Sequence, residues 1–84
     1  MAIYTVTCRG KLGRGVITQL TNGGFYLHEE PEPGFEGASM ARHFLKVEAG
    51  SAEDAILVAR GAMAVAGGDA RDYQATAGVE EVPE

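Results

Sequence analysis

The sequence predicts an α+β fold of two layers, an antiparallel sheet of four to five strands with one helix packed on one face. Short segments alternate apolar and polar residues, one longer segment has helical spacing, and strand-like segments occur on both sides of it. A helix covering one sheet face is the simplest arrangement that buries both. We therefore expect a single domain over residues 1–84, with element order β-β-β-β-α-β.

Three strands are expected in the first 28 residues. Residues 2–9, AIYTVTCR, alternate and are rich in β-branched and aromatic side chains, which favours a strand. A glycine-rich turn, 10–15, precedes VITQL, 16–20, the predicted second strand. The Asn-Gly pair that follows is preferred in type I′ turns, so FYLH, 25–28, is predicted to return as the second arm of a hairpin.

The remaining elements follow a long acidic loop over residues 29–41, where two prolines disfavour regular structure. RHFLKVEA, 42–49, resumes the alternation of a strand. A helix is predicted from the N-cap residue Ser51 to the Gly-Gly pair at 67 and 68. The segment 73–82 is the expected last strand, with a bulge at Gly78.

Charge is divided unevenly along the chain, which has a net charge of −5. Residues 1–28 hold three basic residues and no acid, whereas residues 29–84 hold four basic and twelve acidic residues. This balance disfavours a general nucleic-acid binder, because phosphate neutralisation supplies most of such binding. It favours a basic protein partner.

Cysteine content and hydropathy predict a soluble, cytoplasmic protein. Cys8 is the only cysteine, so no internal disulfide can form, and small secreted domains usually need such links. No signal-peptide core is visible in residues 1–28, and the longest aliphatic run, 55–59, is far too short for a membrane span.

The predicted helix is apolar on two sides. Opposite its core stripe lie Leu57, Gly61, Ala64 and Val65, with Val58 at the boundary. Either the C-terminal strand or the long loop covers this second side, or it is a protein interface, for self-association as a homodimer or for a partner helix. Scattered exposure without a role is a third interpretation.

The acidic loop is a second candidate for partner binding. It carries Glu29, Glu30, Glu32 and Glu36, and Phe35 lies among them as a potential anchor in a basic surface. In the alternative interpretation, Phe35 folds back onto the sheet and the acids only solvate the connection.

Other candidate sites are weaker. Arg9, Lys11 and Arg14 flank the glycine-rich turn and could contact a phosphate or an acidic partner, but the segment lacks the ending of a P-loop. His28 and His43 could meet at the base of the long loop, yet their spacing matches no ligand signature, so neither a metal nor another cofactor is expected.

Catalysis has little support in the sequence. Cys8 lies in an alternating strand, which is typical of a buried, inert thiol. Neither histidine has a partner suggestive of a triad, and paired acids such as those at 29–30 point to opposite faces of an extended chain. We expect a protein that is not an enzyme.

The leading hypothesis is an acidic protein-interaction module, in one version an inhibitor that blocks a basic nucleic-acid-handling complex. Small acidic proteins of phages and mobile elements, including anti-CRISPR proteins, act in this way as a class, and the analogy rests on size and charge alone. The alternatives are a small nucleic-acid-associated module using the basic turn and sheet aromatics such as Tyr26, and a homo-oligomeric structural protein.

Overall fold

The computed structural model describes residues 1–31 and 41–78. They form an antiparallel four-stranded sheet with two helices, which confirms the predicted α+β class. The elements in chain order are β1 Ala2–Gly10, α1 Arg14–Asn22, β2 Tyr26–Pro31, β3 Ala41–Ala49, α2 Ala52–Ala66 and β4 Arg71–Ala77.

The strand order across the sheet is β2-β3-β1-β4, and every neighbouring pair is antiparallel. The central pair is in register along its whole length, from Ala2 opposite Ala49 to Gly10 opposite Ala41. With the chain order βαββαβ, this arrangement is the split βαβ topology of the ferredoxin-like fold. Both helices therefore cover the same face of the sheet, and neither helix covers the other face.

The predicted second strand, 16–20, is wrong, because these residues belong to α1. Val16 and Leu20 are four residues apart, so they share one helix face, and both pack on the core. The β-branched pair at 16 and 17 has a local preference for a strand, and burial of Leu20 overrides it.

The predicted hairpin turn is also wrong, because the Asn-Gly pair ends α1. The backbone N–H of Gly23 donates to the Gln19 carbonyl at 3.0 Å, and the N–H of Phe25 donates to the Leu20 carbonyl at 2.9 Å. Gly24 has φ +83°, a left-handed conformation that glycine adopts readily, and the backbone changes direction there between α1 and β2.

The limits of the other strands differ modestly from prediction. β2 continues to Pro31 at the sheet edge, where a proline without an N–H is tolerated, so the predicted loop begins later than residue 29. The rest of that loop, 32–40, and residues 79–82 of the predicted last strand lie outside the described residues. The irregular pairing of β1 with β4 falls between Thr7 and Arg9, not at Gly78.

α2 is stabilised as its sequence predicts. The Ser51 hydroxyl accepts a hydrogen bond from the Asp54 N–H at 3.2 Å, and Gly67 ends the helix in the left-handed conformation with φ +82°. Its core stripe packs on the two central strands and on α1. The fully buried core consists of Val6, Cys8, Leu20, Leu45, Val47, Ala55, Ala59 and Met63.

Candidate protein-interaction surface

The second side of α2 is exposed. We call it the outer face of α2 and define it by five residues: Leu57, Val58, Gly61, Ala64 and Val65. Leu57 is 66% exposed, Val58 41% and Val65 79%, and the two small residues are exposed as well. Large aliphatic side chains this accessible and this close together on one helix are typical of an interface. Neither β4 nor any other described element covers them.

A groove between α1 and α2 extends the outer face. A cavity of about 630 Å³ lies between the two helices, with Leu20 and Phe25 on one side and Val58, Ala62 and Val65 on the other. Its lining is mainly apolar, which suits an aliphatic or aromatic side chain from another molecule. The sequence prediction missed this groove because it placed a strand where α1 lies; the four-residue spacing of Val16 and Leu20 was the signal.

Negative charge on the outer face is confined to its N-terminal end, where Asp54 lies three residues before Leu57 and four before Val58. Beyond the first turn, Arg60 is the only charged residue of α2. Its guanidinium carbon lies 5.5 Å from the centre of the Tyr73 ring, a cation–π distance, so the side chain is directed toward β4. The surface between Leu57 and Val65 is consequently uncharged.

Gly61 has no packing role within the described chain. A Cβ atom built at Gly61 would meet nothing within 4 Å, whereas one built at Gly68 would lie 2.5 Å from the Met63 sulfur and 2.9 Å from a methyl of Val16. A glycine inside a helix costs about 1 kcal/mol relative to alanine. Within residues 1–31 and 41–78, no packing contact at Gly61 offsets this cost.

The acidic candidates are only partly described. Glu29 and Glu30 lie on the edge strand β2, each with about half of its side chain exposed. Glu32, Phe35 and Glu36 lie outside the described residues. The structure thus places the first two acids on a sheet edge, and the outer face on a different element, α2.

The charge of the described residues is balanced. They contain seven basic and seven acidic side chains, so the net charge of −5 comes from the five glutamates in segments 32–40 and 79–84. Any attraction of a basic partner by net charge therefore arises from these two segments.

The basic candidates do not form a phosphate-binding loop. The glycine-rich segment opens α1 rather than a strand, but it still lacks the Gly-Lys-Ser/Thr ending. Arg9 lies on the sheet face opposite the helices and donates to the Asp72 carboxylate at 3.1 Å. Lys11 lies in the connection after β1, and Arg14 is the first residue of α1.

The sheet face opposite the helices offers little for base stacking. Phe44 is buried there under the His28 ring, with ring centres 4.2 Å apart and nearly parallel. Tyr26 faces the helices, and its hydroxyl bonds to buried His43. A polar cavity of about 350 Å³ beside Arg9 and Arg42 is also lined by Asp72, whose carboxylate accepts a hydrogen bond from Arg9.

The two histidines do not meet. Glu29, not His28, is opposite His43 in the register, so the rings lie on opposite sheet faces. His43 is 1% exposed; its Nε2–H donates to the Gly10 carbonyl at 2.9 Å, and in the neutral ring Nδ1 accepts from the Tyr26 hydroxyl at 3.0 Å. Within residues 1–31 and 41–78, no group of three metal-ligating side chains is present.

The buried Cys8 thiol and the half-buried Tyr26 hydroxyl are held in their neutral forms. Burial raises the pKa of the Cys8 thiol to about 11, so the thiolate required for nucleophilic chemistry is scarce at neutral pH. Burial and the nearby Glu29 carboxylate raise the pKa of Tyr26 well above its ordinary value.

Comparison with known proteins gives no significant match to any family model, curated protein or solved structure. Among the helices of the described part of the chain, none has the length and apolar character needed to cross a membrane.

Proposed function

We propose that this protein is a non-enzymatic protein-interaction module that binds its partner through the outer face of α2. The observation that carries the proposal is the exposure of Leu57 and Val65 beside an apolar groove, on a helix surface that carries no charge between these two residues. Aliphatic side chains at the centre of a contact supply binding energy when they leave water, at roughly 25 cal/mol per Å².

The acidic segments supply the second component of the proposal. Five glutamates account for the whole net charge, and Glu29 and Glu30 add exposed carboxylates at the β2 edge. Such charges speed the approach of a basic partner and orient it, while the apolar contact supplies the affinity. An inhibitor that occupies a basic nucleic-acid-handling complex in the cytoplasm combines these two requirements.

Affinity capture from cells that naturally produce the protein tests the proposal. Wild type is compared with Leu57→Lys, and the matched control is Ile3→Lys, which charges an aliphatic residue that is 42% exposed on the opposite sheet face. Proteins retained by wild type and by the control should be lost from Leu57→Lys. If both variants retain the same proteins as wild type, the outer face of α2 is not the interface.

The contribution of charge is tested by a second pair of measurements. Glu29→Gln combined with Glu30→Gln should slow association with the captured partner and reduce its dependence on salt concentration, while changing dissociation little. An association rate that is unchanged by these variants and by salt would contradict a basic partner.

A further inference from the structure

A row of charged residues crosses one end of the sheet. Arg9 of β1 lies directly opposite Arg42 of β3 in the register and, on its other side, directly opposite Arg71 of β4. Like charges directly opposite one another destabilise a sheet. Glu30, opposite Arg42, and Asp72, which accepts from Arg9, add two negative charges. Three arginines and two carboxylates therefore leave this row with a net charge of +1.

A polar cavity lies beside Arg9 and Arg42 on the sheet face opposite the helices. Its volume of about 350 Å³ is at the lower end of the range for small-molecule sites, and its lining also includes Thr7, Gln74 and Asp72. Thr7 and Gln74 are directly opposite each other in the register of β1 with β4. Guanidinium, hydroxyl and amide groups all donate hydrogen bonds, and only the carboxylate of Asp72 does not. The cavity therefore suits a small group with several acceptor oxygens.

The backbone conformation of Asp72 places a carboxylate where it orients Arg9. Among the described residues, Asp72 is the only one other than glycine with a positive φ, and it lies where the pairing of β1 with β4 is irregular. Such conformations cost energy and concentrate at ligand sites. Arg9 and Arg42 also make further interactions within the chain. Since a guanidinium has five N–H donors, Arg9 can hold the Asp72 carboxylate and an external anion at the same time.

We propose that this cavity binds a phosphate group, with Arg9 and Arg42 as its cationic contacts and Thr7 and Gln74 as neutral donors. The geometry of a guanidinium matches phosphate oxygens in pairs of parallel hydrogen bonds. A phosphate group has three acceptor oxygens where a carboxylate has two, so it engages more of the four donor side chains. An anion beside Arg9 and Arg42 also offsets their repulsion across the two strands.

This inference goes beyond the proposed function and does not depend on it, because the cavity lies on the sheet face opposite the helices and the outer face of α2 belongs to a helix. A small phosphorylated molecule and a nucleic-acid backbone present the same phosphate oxygens. The chemistry recognised is the phosphate group, and the experiment separates its two sources.

Nuclear magnetic resonance titration of the whole chain with inorganic phosphate at neutral pH tests the site. Sodium chloride is adjusted to keep the ionic strength constant, so that general screening does not change. The backbone amide signals of residues 7, 9, 42, 72 and 74 and the Nε–H signals of Arg9 and Arg42 should shift and then saturate. The dependence of these shifts on phosphate concentration gives the dissociation constant.

Three variants locate the binding and give it a sign. Arg42→Gln should weaken phosphate binding about tenfold, because one charge-assisted contact is lost. Arg14→Gln is the matched control, since it removes the same charge at the start of α1, and it should leave the affinity unchanged. Asp72→Asn should strengthen binding about threefold, because it removes a negative charge from the lining while the amide oxygen still accepts from Arg9.

Two further titrations identify the source of the phosphate group. Tighter binding of a nucleoside monophosphate than of a single-stranded oligonucleotide, counted per phosphate, would assign a small phosphorylated molecule, and the reverse order would assign a nucleic-acid backbone. Three results would overturn the inference: shifts that do not saturate at tens of millimolar phosphate, equal weakening by Arg42→Gln and Arg14→Gln, or weaker binding by Asp72→Asn.

Discussion

Replacing Gly61 with alanine should stabilise the monomer, an unusual outcome for a substitution in the middle of a small domain. The added methyl group meets no atom within 4 Å, so no packing is disturbed. Alanine is favoured over glycine in a helix by about 0.8–1.0 kcal/mol. For a domain of this size that gain corresponds to a rise in Tm of roughly 4–8 °C.

The measurement is thermal and denaturant unfolding of wild type and Gly61→Ala, followed by circular dichroism at low micromolar concentration to minimise association. Gly10→Ala is the contrasting variant, because its Cβ would lie 2.7 Å from the backbone oxygen of Asp69 and 3.1 Å from the Cα of Ala70. That crowding should cost about 1–3 kcal/mol.

The same substitution should weaken binding of the proposed partner to the outer face of α2, since a methyl group at position 61 holds the partner further from the helix. A variant that is more stable as a monomer and poorer in partner binding separates the two effects. If Gly61→Ala lowers the free energy of unfolding in dilute solution, the outer face is already covered in the monomer and the reasoning fails.

Three further substitutions and conditions probe the rest of the structure. Tyr26→Phe removes the hydroxyl that donates to buried His43, so the free energy of unfolding, measured in urea, should fall by about 1–3 kcal/mol. A loss near zero would mean that the Tyr26–His43 hydrogen bond is absent. Asp72→Asn should lower the free energy of unfolding by less than about 1 kcal/mol, because the side chains of the Arg9–Asp72 ion pair are 32% and 52% exposed to water. Asparagine also tolerates the φ of +57° at this position. A loss above about 2 kcal/mol would show that water does not screen this ion pair. The free energy of unfolding should decline as pH rises from about 9 to about 11, because the Cys8 thiol ionises in the unfolded chain at a lower pH than in the folded one. Cys8→Ala should make this decline shallower. A decline as steep in Cys8→Ala as in wild type would contradict the burial of the thiol.

The elements that could be predicted from sequence carry strong local signals. The alternation in β3 and the caps of α2 agree with their tertiary surroundings, so local preference and global fold coincide there. α1 differs: it has no side-chain N-cap and no acidic residue in its first turn, and its β-branched residues favour a strand. A nine-residue helix of this kind depends on tertiary packing, which local patterns do not reveal.

The part of the candidate surface that lies on α2 could be predicted, because it follows from a local pattern in the sequence. Helical spacing alone identifies Leu57, Gly61, Ala64 and Val65 as a second apolar side of α2. The adjoining groove depends on α1 and could not be foreseen without it. The hydrogen bonds of His43 depend on the strand register, which shifts between Tyr26 and His28 and thereby separates the two histidines.

Photo-crosslinking in cells that naturally produce the protein tests most directly whether another chain covers the outer face of α2. A photoreactive amino acid is placed at position 57 or, as the control, at position 3 on the opposite sheet face. We predict crosslinked products from position 57 and none from position 3. If position 57 gives no product in cells where the protein is abundant and folded, the outer face is not an interface.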